Sequence, residues 1–177
     1  MTPRRALLTA ALVLGVTGGL AACGSSPETT RPTAASGAVG SLVVSDGRIA
    51  EPPGTGQTVL YFTVANRGST DDALVGVAVE GTERSDLHRT VSRAGLAWME
   101  PTAEVAIPSG RAVSFAPGGA HVMIQGGAGT LRRGALAEVR LRFRRAGLLQ
   151  IPVPVVAYGE LDRLAGQPAR PAGSGTE

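Results

Sequence analysis

Cysteine occurs once in these 177 residues, and aromatic residues make up only 3%. Lysine is absent, so every basic side chain is an arginine. A lone cysteine excludes an intrachain disulfide, a zinc ribbon and a two-cysteine redox motif. No Gly-rich phosphate loop opens a helix, and no G-x-S-x-G elbow is present. Acidic residues are scattered rather than paired, so nothing argues for catalysis. No internal repeat and no sustained helical period can be found. Histidine occurs twice and methionine three times.

The ends of the chain are processing and tether segments. Arg4 and Arg5 precede the apolar stretch "ALLTAALVLGVTGGL", which is too short and too rich in glycine for a spanning helix and reads as a signal peptide over 1–22. It ends in "LAAC", similar to a bacterial lipobox, in which Cys23 is lipidated and becomes the new N-terminus. The segment 23–40 is rich in Ser, Thr, Pro and Gly and reads as a lipidated cysteine plus a flexible linker. Residues 159–177 have the same character and are expected to form a disordered tail. The expected location is outside the cell membrane, anchored to its outer face. An exported chain with few aromatics is not a nucleic-acid binder, despite a formal net charge of +3. In "VRLRFRR", Leu141 and Phe143 face a core while Arg140, Arg142 and Arg144 face outward, as a solvated strand face or a docking face for an acidic partner or membrane surface.

Between tether and tail, residues 41–158 form the expected domain. Short apolar runs such as "TVLYFTVAN", "ALVGVAV", "HVMIQ" and "LAEVRLRF" alternate with Gly- and Pro-containing turns. Many short strands at close spacing indicate an all-β sandwich or barrel. Pro152 and Pro154 mark the last strand as an edge or as irregular.

With Met1 lost alongside the signal, the mature protein keeps His88, Met99, His121 and Met123. Each could be ordinary packing. Their placement suggests more. His88 and Met99 flank "SRAG", and a hairpin there sets them opposite each other. His121 and Met123 are two apart on a strand and share a face. If the hairpin packs beside that strand, two imidazoles and two thioethers converge. Soft neutral sulfur with imidazole suits Cu(I) and suits Zn²⁺, Mg²⁺ or Ca²⁺ poorly. A blue-copper electron-transfer site needs a cysteine thiolate, which the domain lacks.

The spacing His, ten residues, Met, twenty-one residues, His, one residue, Met resembles the signature of the periplasmic copper chaperone family PCu(A)C (DUF461-type). "ANRGSTDDALVGVAV", "IPSG" and "PGGAHVM" are also similar to that family, and the resemblance runs from about Thr58 to Val156. It implies a cupredoxin-like, immunoglobulin-like Greek-key β-sandwich. It also implies a Cu(I) carrier of the bacterial envelope that delivers chiefly to the CuA centre of cytochrome c oxidase, or to another copper chaperone. The metal ligands implied are His88, Met99, His121 and Met123.

This chain departs from the family at two positions. Family members carry an acidic residue after the first histidine and a basic one after the first methionine; here they are Arg89 and Glu100. An ion pair of reversed polarity between diagonal neighbours is the expectation. Trp98, just before a candidate ligand, is expected to point away from the metal by strand alternation. The tail holds neither His nor Met, so one metal site per chain is expected, in a monomer. Alternative functions are copper buffering or resistance in the envelope, and an immunoglobulin-like lipoprotein that only binds partners. An enzyme is not expected.

Overall fold

A computed structural model describes residues 34–54 and 56–165. The signal segment, Cys23 and most of both expected flexible segments lie outside the described residues. Eleven strands and one helix follow in order: β1 (Ala35–Val39), β2 (Leu42–Ala50), β3 (Gln57–Asn66), β4 (Asp72–Val79), β5 (Arg84–Arg93), β6 (Leu96–Pro101), β7 (Val105–Ile107), β8 (Ala112–Phe115), β9 (Ala120–Gln125), β10 (Leu136–Phe143), β11 (Gly147–Val156) and α1 (Tyr158–Ala165).

Period-2 burial produces this architecture. In β3, Leu60, Phe62 and Val64 are buried while Val59, Tyr61 and Thr63 are only partly so, as a strand with one face on a core requires. β10 repeats the pattern: Val139, Leu141 and Phe143 are buried, and Arg140, Arg142 and Arg144 are exposed. The strands run in the order β6-β5-β9-β8-β3-β2-β11-β10-β4-β7, with β1 added to β2. The path passes from the smaller sheet of β7, β4, β10 and β11 to the larger sheet where β11 meets β2, a parallel pairing of only Val155 with Ile49 and Val156 with Ala50. That ladder begins past Pro152 and Pro154, since proline has no N–H to contribute. The two halves of the path face each other over one core cluster. Leu60, Phe62, Val122 and Ile124 come from one side; Leu74, Val139, Leu141 and Val153 come from the other. The result is the cupredoxin-like β-sandwich.

Two boundaries differ from the sequence reading. Residues 35–39, expected in the linker, are β1, and Ala35 is buried in the core beside β2. A short run of Ala, Gly and Ser carries little hydrophobic signal, and β2 supplies the pairing that makes it a strand. Residues 158–165, expected mostly in the tail, are α1. Leu161 anchors this helix by packing with Ala50 and Val156 on the outer face of the larger sheet, against Val59 and Tyr61. Among the described residues, the buried core side chains lie between Ala35 and Leu161, within the compact unit Arg31–Glu177.

Asp72 ties β4 to the β10–β11 turn. Its carboxylate accepts hydrogen bonds from the N–H groups of Ala73 (2.7 Å), Arg145 (2.9 Å) and Ala146 (2.9 Å). Burial opposes its charge, but these backbone donors prevail and hold the carboxyl below its ordinary value.

Candidate metal centre

Three strands carry the candidate ligands. β9 pairs with β5 so that His88 lies directly opposite His121, and Asp86 opposite Met123. β5 pairs with β6 so that Met99 lies opposite Thr90, two positions along from His88. Residues paired directly across a ladder, and residues two apart on a strand, share a face. His88, Met99, His121 and Met123 therefore all stand on one face of the β6-β5-β9 ribbon. The other face of the same strands sends Leu87, Val122 and Ile124 into the core.

The hairpin register differs from the sequence reading. His88 is paired with Pro101, not with Met99. The turn decides this. Its central residues Ala94 (φ 53°) and Gly95 (φ 80°) both have positive φ, as a two-residue turn of the I′ type requires. Centring the turn on Ala94–Gly95 rather than on Arg93–Ala94 slides the arms by two. A slide of two keeps every side chain on its face, whereas a slide of one would reverse it. His88 and Met99 become diagonal neighbours on the shared face.

The ligand face grades from closed to open. His121 is only 4% exposed and Met99 55%, with His88 and Met123 between them. The two imidazole centroids are 5.8 Å apart in an edge-on arrangement. An ion about 2 Å from one nitrogen of each ring would hold two centroids roughly 5–6 Å apart. His88 Nδ1 and His121 Nε2 are both buried and without a hydrogen-bond partner. Each such group costs about 1–3 kcal/mol in a finished fold, a cost that an ion would relieve. His121 Nδ1 lies 3.2 Å from the Gly119 carbonyl. The tautomer that donates there leaves Nε2 with a free lone pair, the usual outer-sphere arrangement for a metal-binding imidazole. Burial, and then the neighbouring His121, push the His88 pKa below its ordinary value; Asp86 opposes the shift and Arg84 adds to it. His88 is accordingly neutral near pH 7, the form that ligates.

Among the described residues no three His, Cys, Asp or Glu side chains are placed to hold an ion together. The face offers imidazole together with thioether, a soft donor set. The residues present fit Cu(I). Sequence reasoning missed two neighbours. Asp86 shares the face, and its place two positions before His88 was a readable signal. The Gly119 carbonyl acts through the backbone and leaves no trace in residue type.

The opposite face of the hairpin carries Arg89, Glu100 and Trp98. Arg89 is directly opposite Glu100 rather than diagonal to it, as the shifted register requires. Arg89 Nη2 and Glu100 Oε2 are 3.6 Å apart. The Trp98 indole N–H donates to Glu100 Oε1 at 2.8 Å, so Trp98 faces away from the candidate ligands.

Fold and site geometry together define a β-sandwich domain with two imidazoles and two thioethers on one sheet face. Comparison with known proteins places it further. Residues 42–155 match a family model described as "Putative lipoprotein LpqE-like". The chain is 32% identical over 152 residues to "Putative lipoprotein Lxx21020" of Leifsonia xyli subsp. xyli (strain CTCB07), covering 85% of this chain and 88% of that one. Among solved structures it is similar to the apo PCuAC domain from PmoF1, with TM-score 0.60, 29% identity, and 69% of this chain and 98% of that one covered. It is likewise similar to the copper-bound PCuAC domain from PmoF2, with TM-score 0.59, 27% identity, and 69% and 97% covered. The chain belongs to the LpqE-like family of lipoproteins, within the PCu(A)C (DUF461-type) domains.

Proposed function

We propose that this protein is an extracytoplasmic Cu(I) carrier. It holds one ion with His88, Met99, His121 and Met123 and passes it to an acceptor, the CuA centre of cytochrome c oxidase. The observation that carries this reading is the pair of imidazoles 5.8 Å apart, with orphaned buried nitrogens, on the sheet face shared with both methionines. The copper-bound PmoF2 domain supports copper as the cargo. The burial gradient suits transfer: buried His121 anchors the ion, and open Met99 is the ligand an incoming acceptor displaces first. Four protein ligands leave no open position for a substrate, so we place the protein among carriers rather than enzymes. Lipidation of Cys23 holds it at the outer face of the membrane, as its lipoprotein relatives suggest.

Competition titration with a Cu(I) chelator tests the site. The expected stoichiometry is one ion per chain, and His121→Ala or Met123→Ala weakens binding by about 100-fold or more, at least the upper range for losing an outer-sphere partner. Unchanged affinity in these variants rejects the assignment. Transfer to a purified apo CuA domain, followed by its absorption, separates delivery from buffering. A Cys23→Ser chain is expected to leave the membrane fraction.

A further inference from the structure

The reverse side of the β5–β6 hairpin is a second exposed surface, separate from the candidate metal centre. Leu96 and Trp98 alternate with Ala97 and Met99 along β6, so they stand on the face opposite the ligands. β6 ends the strand path and pairs only with β5. Residues 92–99 are all exposed, Leu96 by 72% and Trp98 by 43%. Across the ladder, Arg93 pairs with Leu96 and Val91 with Trp98. The Arg93 side chain has no ion-pair or hydrogen-bond partner among the described residues. Glu100, the one acidic side chain on this face of the hairpin, is occupied by Arg89 and the indole N–H. The tip therefore offers a leucine, an indole with its polar edge already bonded, and an unpaired guanidinium.

We propose that this tip inserts into the headgroup layer of an anionic phospholipid bilayer. Tryptophan favours the membrane–water interface, where an apolar ring and a polar edge are both accommodated. Arginine extends its apolar stem and keeps its charge among lipid phosphates. The geometry favours a bilayer over the copper acceptor as occupant. An acceptor must reach the open Met99 thioether, and from the Leu96–Trp98 side the ribbon itself would stand between it and the ion. A bilayer on the reverse face leaves the ligand face free. The membrane setting rests on the lipoprotein reading. Cys23 lies twelve positions before Ala35, so the tether holds the domain within roughly 40 Å of the bilayer. At that range a weak second contact is reinforced by high effective concentration.

The test needs neither copper nor the lipid anchor. Residues 31–177 form one compact unit that holds the buried core side chains of the described residues and Trp98, the only tryptophan of the chain. They are mixed with vesicles of phosphatidylcholine alone and of phosphatidylcholine with phosphatidylglycerol. Expected are a blue shift of Trp98 emission, its quenching by brominated lipid, and co-sedimentation, all stronger on the anionic vesicles. Leu96→Ser reduces partitioning by roughly tenfold. Arg93→Glu reduces it by roughly fivefold or more on anionic vesicles only. No shift and no co-sedimentation overturns the proposal. So does binding that both variants retain, especially if Arg140→Glu with Arg142→Glu abolishes it, which would transfer the contact to β10. A concentration-dependent dimer lost in Leu96→Ser, with no vesicle binding, also overturns it, in favour of a second copy. Failure of Cu(I) titration leaves this result untouched, and the converse holds.

Discussion

His121 and Met99 are the extremes of the ligand face. His121 is buried, oriented by the Gly119 carbonyl, and opposite His88. Met99 stands half-open on a terminal strand. Deleting a buried, oriented ligand strands its partners without solvent, whereas water can replace an exposed one. We therefore expect Met99→Ala to weaken Cu(I) binding by about tenfold, less than His121→Ala, and to speed release to a chelator in stopped-flow measurements. Equal effects would show that exposure does not grade the ligands. At this scale the sequence was informative, because rare residue types at fixed gaps stand out in a chain of alanine, glycine and valine. It was silent on Gly119, whose contribution is a backbone carbonyl.

The β5–β6 hairpin decides how Met99 reaches its neighbours. Ala94 occupies a left-handed conformation at φ 53°, which costs a residue with a Cβ about 1–2 kcal/mol. Asparagine tolerates that region and with glycine forms the preferred turn. Ala94→Asn is expected to slow hydrogen exchange of the Arg93 and Leu96 amides by about two- to fivefold, corresponding to about 0.5–1 kcal/mol. Arg89 and Glu100 are now direct cross-strand partners. Both side chains are substantially exposed, so a double-mutant cycle is expected to yield a coupling of about 0.2–1 kcal/mol; zero coupling would mean that the reversed polarity does not stabilise the hairpin. Alternation alone told that Trp98 and Met99 stand on opposite faces. The exact register was not legible, since "SRAG" allows two centres and only the backbone dihedrals choose between them.

The β-sandwich domain is held together by its core and by a few long-range polar ties, of which Asp72 is the clearest. Its carboxylate joins residues more than seventy positions apart. Asp72→Ala is expected to cost about 2–4 kcal/mol in urea unfolding, since it strands one buried and two partly buried N–H donors. The folded pKa lies below the ordinary value. This contribution is therefore complete above the unfolded carboxyl value of about 3.9 and is lost as pH falls through the folded value. Stability of the wild type should fall more steeply below about pH 4 than that of Asp72→Asn; parallel profiles would contradict this.

Local pattern in the sequence settled the all-β class, the alternating faces of β3 and β10, and which soft side chains the domain carries. These follow from alternation and residue chemistry, which are local properties. Tertiary structure decided that β1 and α1 belong to the domain, because each is stabilised by contacts with a distant strand rather than by its own composition. It also decided that His88 lies across from His121 and that one face of a protruding hairpin remains uncovered. Such facts depend on which strands become neighbours, and that depends on burial summed over the whole chain.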